Sequence, residues 1–186
     1  MPAQLTRRLF TVEDYYRMVD AGILGARDRV ELIEGEVLAM SPIGSPHAAA
    51  VDRAARATIM TLGPKAIVRI QNPVRLNEYS EPEPDISLLR PRDDFYAKGH
   101  PLPNDVLLII EIADSSLEYD LKVKAPLYAA SGIVEYWVAD LIHDCVVVHT
   151  NIIDREYAPV HEFRRGEAIS PQLLPGCSIN VADLLA

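Results

Sequence analysis

Asp85 follows Pro84 and opens the apolar run Ile86-Ser87-Leu88-Leu89, and Glu111 closes the five apolar residues Val106 to Ile110. Lys124 comes thirteen residues later. Two carboxylates at strand ends with an ammonium close behind suit the metal-dependent hydrolysis of a phosphodiester. A hard divalent cation takes oxygen ligands, and a cation also steadies the phosphate under attack. Strand ends hold such ligands more firmly than loops do. Each residue also has a plainer reading. Asp85 after a proline can be a strand-entry or turn residue, and Lys124 is spaced to pair with Asp120 on a solvated helix face. Glu111 is harder to explain plainly, because a carboxylate placed directly after five apolar residues is costly to bury without a cation or hydrogen-bond donors.

The chain that must position these groups has 186 residues, 49% of them apolar, enough for one core and one domain over residues 1–186. Val106 to Ile110 is far too short to span a bilayer, and Met1 to Phe10 carries Arg7 and Arg8 with no apolar segment behind them, so a soluble, unprocessed protein is expected. Two cysteines, Cys145 and Cys177, read as reduced thiols in a cytoplasmic setting. The net charge of −9 is uneven, about +2 over residues 1–75 and −11 over 76–186. Affinity for phosphate backbones comes largely from Lys and Arg, so any nucleic-acid contact has to be local.

Thr11-Val12-Glu13-Asp14 predicts a capped helix ended by Gly22, and Arg29 to Met40 a hairpin turning at Glu34-Gly35. A second helix is expected from Ser45 to Leu62, with His47 in its first turn and an apolar face of Ala49, Val51, Ala54, Ala55, Ile59 and Leu62. Strands are expected at Ala66–Gln71, Val74–Leu76, Ile86–Leu89, Val106–Ile110, Glu135–Asp140, Cys145–His149 and Glu156–Phe163. Arg90 to Asn104 reads as an irregular, functional loop. Ser115-Ser116-Leu117-Glu118 offers a capping box for a helix running to Ala130 and kinked at Pro126. This order gives an α/β (α+β) fold, a mixed β-sheet flanked by helices. His143, His149 and His161 show no ligand spacing and read as structural.

Taken in order, Phe10-Thr11-Val12-Glu13-Asp14-Tyr15-Tyr16, Val30-Glu31-Leu32-Ile33-Glu34-Gly35-Glu36, Pro84-Asp85, Glu111-Ile112-Ala113-Asp114-Ser115-Ser116, Tyr119-Asp120 with Lys124, and Gly132-Ile133-Val134-Glu135-Tyr136-Trp137 resemble the Uma2 family. That family, formerly a domain of unknown function, is placed in the PD-(D/E)XK nuclease superfamily with a restriction-endonuclease-like fold. The resemblance covers roughly Leu9 to Leu185, and it is the ordered set of motifs that is specific. It implies that Asp85 and Glu111 hold the metal and that Glu31 and His47 match the family's hairpin glutamate and helix-start histidine. The superfamily's lysine two residues after the glutamate is replaced here by Ala113, and Lys124 matches the helix lysine that stands in for it.

The implied mechanism has Asp85, Glu111 and the Ile112 carbonyl on one Mg²⁺ or Mn²⁺. Lys124 orients or deprotonates the attacking water and offsets charge on the phosphate, while Glu31 serves a second cation or an ordered water. Glu34 is a further acidic candidate on the same hairpin. The activity implied is that of an endonuclease on nucleic acid, DNA first. A catalytically inactive interaction module that keeps the fold is the alternative, favoured by the acidic surface and by Ala113. The apolar stretches Leu173-Leu174 and Val181 to Leu185 would cover either the sheet or a second subunit of a homodimer.

Overall fold

Thr11 caps the first helix of a computed structural model that describes residues 7–25 and 27–185; the reading of Met1 to Thr6 as a start without a leader lies outside them. Helix α1 spans Val12–Asp20. The Asp14 N–H donates to Thr11 Oγ1 at 3.0 Å and the Thr11 N–H to Asp14 Oδ2 at 3.2 Å, so the capping box closes as its sequence predicts. Strands β1 (Val30–Ile33) and β2 (Glu36–Ala39) form the hairpin. Its turn places Glu34 at φ 48° and Gly35 at φ 79°. A Cβ added at Gly35 would lie 2.6 Å from Leu9 Cβ, in a backbone region that disfavours side chains. Gly35→Ala is therefore expected to cost about 1–3 kcal/mol, read as a lower urea midpoint. An unchanged midpoint would mean that the Leu9 segment simply gives way.

Helix α2 (Ser45–Leu62) has Gly44 as its N-cap and Pro46 in its first turn. It buries Ala50, Val51, Ala54, Ala55, Thr58 and Leu62, so the apolar face is rotated from the expected one: Ala49 is exposed and Ile59 half exposed. Strand β3 (Ile67–Ile70) comes next. Val74–Leu76 is not a strand. The Val74 and Leu76 N–H groups bond back to Pro82 and Ser80 within the same loop and the Arg75 N–H goes to the Pro101 carbonyl of the 90–104 loop, so the segment joins no neighbouring strand.

Strands β4 (Ile86–Leu89) and β5 (Val106–Ala113) are buried along their whole lengths, and β5 runs two residues past Glu111 rather than ending before it. The expected helix from Ser115 to Ala130 is in three pieces: α3 (Leu117–Tyr119), a π-helical turn (Asp120–Lys124) and α4 (Ala125–Ala130). There is no capping box at its start. Ser116 lies in the helical region without a side-chain cap bond, and its hydroxyl donates instead to Asp120 Oδ2 at 2.6 Å. Nor is it one helix kinked at Pro126. That proline has no N–H to continue the ladder, and it sits in the first turn of α4 directly after the wider π turn.

Beyond Gly132 come β6 (Glu135–Asp140), β7 (Cys145–Thr150), β8 (Ile152–Ile153), β9 (Glu156–Tyr157), β10 (Val160–Arg164), β11 (Ala168–Ile169), β12 (Ile179–Asn180) and α5 (Val181–Leu184). The single strand expected over Glu156–Phe163 is two strands, broken at Pro159, which cannot donate to a ladder. The main sheet has the order β10-β7-β6-β5-β4-β3, with β5 and β6 parallel and the other pairs antiparallel. One face carries Leu108, Ile110, Ile112 and Trp137 in a cluster that includes α2 and α5; the other carries Ile109, Ala113, Tyr136 and Val138 with Tyr128 of α4. Val181, Leu184 and Leu185 are fully buried in the first cluster, so the C-terminal segment covers this chain's own core. Cys145 and Cys177 are buried free thiols. No helix among the described residues is long and apolar enough to cross a membrane.

Candidate active site

Side chains alternate along β5, so Glu111 faces the same side as Ile109 and Ala113, toward the helical segment that links β5 to the parallel strand β6. There it is 3% exposed and meets Lys124, itself 6% exposed, with Nζ donating to Glu111 Oε1 at 2.8 Å. The same ammonium lies 3.7 Å from Glu31 Oε2, which brings the hairpin of β1 and β2 into the cluster. Lys124 therefore does not pair with Asp120 on a solvated face. Asp120 and Lys124, about one turn apart, are both buried; they bound a π turn whose bonds run i to i−5, with the Ala125 N–H returning to the Asp120 carbonyl. Lys122 points to solvent and pairs with Glu118.

Asp85, just ahead of β4, is neighbour to Glu111 through the backbone, since its own N–H donates to Glu111 Oε2 at 3.0 Å. Its carboxylate accepts from the Ile112 N–H at 2.9 Å, from Gln71 Nε2 at 3.1 Å, and lies 3.1 Å from His47 Nε2 at the start of α2. Glu31 is fixed by the Tyr119 hydroxyl at 3.0 Å and the Glu83 N–H at 3.2 Å, and Glu111 by the Tyr128 hydroxyl at 3.2 Å. The structure thus gathers Asp85, Glu111, Lys124, Glu31 and His47 around one pocket of about 460 Å³, whereas Ile112 does not line it and reaches the site only through its N–H bond to Asp85. Glu34 is not among them. It sits at the exposed tip of the hairpin turn with its N–H bonded to Ser80, because alternation along the strand sends it away from Glu31. Nor does any residue of the Arg90–Asn104 excursion line this pocket.

The pocket also holds acids that the sequence did not single out, namely Glu83, Asp114 and Asp120, with Gln71 and Tyr119 beside them. A signal existed for Asp120: positions 120, 124 and 128 repeat at one-turn spacing and all face inward. For Gln71 and Glu83 the signal was absent, since each lies in a loop or turn and reaches the site only through the sheet's pairing.

Burial dominates the electrostatics of the cluster. It pushes the Glu111 carboxyl up to about 8, against the pull of the Lys124 ammonium, and it also raises Asp120. Burial likewise works against the charge on Lys124, but the fields of Glu111, Glu31 and Asp120 outweigh it and hold the amine well above its usual range. Lys124 therefore stays an ammonium, suited to offsetting phosphate charge and not to taking a proton from water. For Asp85 the burial cost is overcome by the His47 hydrogen bond, so its carboxyl lies below its usual value, and the same bond raises the His47 imidazole.

Several observations bear on whether these residues suit a divalent cation. Asp85 lies 3.1 Å from His47 Nε2, which marks a point where a positively charged group can sit against its carboxylate. The six acids lining the pocket, Glu31, Glu83, Asp85, Glu111, Asp114 and Asp120, outnumber its cationic groups. Among the described residues no group of three or more His, Cys, Asp or Glu could hold a metal ion by itself, so any cation here would need water among its ligands.

A mixed sheet flanked by helices, with two buried carboxylates and a lysine at one of its faces, defines an α/β fold. A crystal structure described as a putative nuclease belonging to DUF820 from Anabaena variabilis ATCC 29413 shares it, with a TM-score of 0.71 at 15% identity over 94% of this chain and 97% of that one. The Uma2 family, described as "Putative restriction endonuclease", matches residues 12–182, and the chain belongs to that family. Among curated proteins no relative is found.

Proposed function

We propose that the protein is a metal-dependent endonuclease that hydrolyses phosphodiester bonds of nucleic acid. The observation that carries this reading is the contact of Lys124 Nζ with Glu111 at 2.8 Å while the Asp85 N–H bonds the same carboxylate at 3.0 Å, which joins three distant residues in one buried cluster. Asp85, Glu111 and the Ile112 carbonyl would hold Mg²⁺ or Mn²⁺. Such an ion, when bound, supplies Lewis acidity at the phosphate and lowers the pKa of water. The chain's own residues do the rest. The Ile112 N–H and Gln71 fix the Asp85 carboxylate, Tyr128 and the Asp85 N–H fix Glu111, and Glu31, itself held by Tyr119, keeps Lys124 in place. Lys124 then presents a preorganised positive charge to the phosphate as it gains charge in the transition state.

One observation favours the alternative of a silent interaction module. All four carboxylate oxygens of Asp85 and Glu111 already meet a hydrogen-bond partner from the protein itself. A cleavage assay on plasmid and single-stranded DNA with Mg²⁺ or Mn²⁺ separates the two. Cleavage by the wild type that stops with chelator and is lost in Glu111→Ala is expected. Equal inertness of both proteins across metals and substrates would leave the module.

A further inference from the structure

We infer that the site admits a single-stranded segment of nucleic acid, one nucleotide entering the pocket at a time, in preference to a paired duplex; this rests on the nuclease reading above. The acid pair lies at the bottom of the pocket, with Asp85 8% and Glu111 3% exposed, so a scissile phosphate has to descend past the rim to reach it. A space of about 460 Å³ is the size that takes one small molecule, a nucleotide but not a double helix.

Part of the pocket lining is apolar: Leu38, Met40, Pro42 and Ile43 contribute to it, and Ile43 is 41% exposed. An unpaired base can lay its face against such aliphatic groups, whereas bases within a duplex keep their faces on one another.

The charge at the mouth agrees with a one-nucleotide footprint. Among the described residues lining the pocket, Arg29 is the exposed cation; Lys124 is buried and bound to Glu111, with Glu31 near it. The Arg29 guanidinium is held at the rim by the Ser41 carbonyl at 3.2 Å, and its backbone carbonyl accepts from the Met40 N–H at 2.8 Å, which sets it beside the apolar part of the lining. From there its field reaches Glu83 in the acid cluster. Duplex binders typically neutralise roughly six to ten phosphates. One arginine at a rim over six acids can hold one phosphate, next to the one being cut.

The test measures anisotropy of a fluorescein-labelled single-stranded DNA oligonucleotide and of its matched duplex, using Glu111→Gln to prevent turnover. The single strand is expected to bind at least about tenfold tighter than the duplex, and Ile43→Asp in the same background to weaken it about tenfold. Arg29→Ala should weaken it as well and lower the slope of log K against log salt by about 0.7, the signature of one lost phosphate contact on a single strand. Both substituted residues are exposed, so the fold should tolerate either change. Equal or tighter duplex binding, or indifference to both substitutions, overturns the inference. Faster duplex cleavage by the wild type overturns it too while leaving the nuclease reading standing, and a wild type that cuts neither form with Mn²⁺ defeats both.

Discussion

Lys124→Met is expected to unfold at a temperature lowered by roughly 10 °C and to retain no cleavage. The ammonium is the buried cation that Glu111 contacts at 2.8 Å and that lies 3.7 Å from Glu31, with Asp120 acting on it through its field. Removing one partner of a buried ion pair leaves the others charged and unsolvated, at a cost of about 3–5 kcal/mol. For a chain of this length each kcal/mol corresponds to about 2–4 °C. The double variant Lys124→Met/Glu111→Gln should recover part of the loss, because it removes the nearest orphaned charge. The deficit should also depend on pH with a definite sign. Glu111 has a folded pKa of about 8, above its ordinary 4.5, so folding favours the protonated form; the stability linked to that proton is complete below about 4.5 and is lost as pH rises through about 8. The variant should therefore be closest to wild type in acid and furthest from it in base. A shift under about 2 °C at pH 8 would mean that the acids relieve one another without the lysine.

Asp85→Asn should abolish the heat of Mn²⁺ binding in calorimetry and lower cleavage by about 10²–10³-fold, the scale for losing one preorganised charge from a reaction centre. The amide keeps the size of the carboxylate and one acceptor oxygen, so the fold should survive with a loss of about 1–3 kcal/mol from imperfect pairing with the Ile112 N–H and His47. Circular dichroism checks that point separately. Manganese bound as tightly as by the wild type would take the metal out of the mechanism.

Much of this arrangement can be read from residue order because β5 advertises itself. A run of five apolar residues is a buried strand, and a carboxylate at its end must find partners. The hairpin, α1 and the long helix α2 are equally plain from caps, glycines and spacing. Other features are hidden for physical reasons. Four-residue spacing puts Asp120 and Lys124 on one face but does not say whether that face meets solvent or Glu111, and a helix-period reading at 3.6 residues per turn does not anticipate one wider turn. Ser116 matches a capping pattern, but its hydroxyl is taken by Asp120. Gln71 and Glu83 reach the pocket only through strand pairing and loop closure, long-range facts that local composition does not encode. Ala49 and Ile59 fall outside the buried face of α2 because alanine-rich helices mark that face weakly.

The widened turn at Asp120–Lys124 makes the segment that carries Lys124 sensitive to length as well as to composition. Deleting any one residue there would let the stretch relax into an ordinary α-helix, rotating the residues ahead of the deletion by about 100° relative to those behind it. Tyr119 would then swing off Glu31 while Tyr128 stayed seated against Glu111, dividing the centre into two unmatched halves. Relatives that keep this surplus residue should keep the chemistry, and a one-residue shortening should mark those that have given it up.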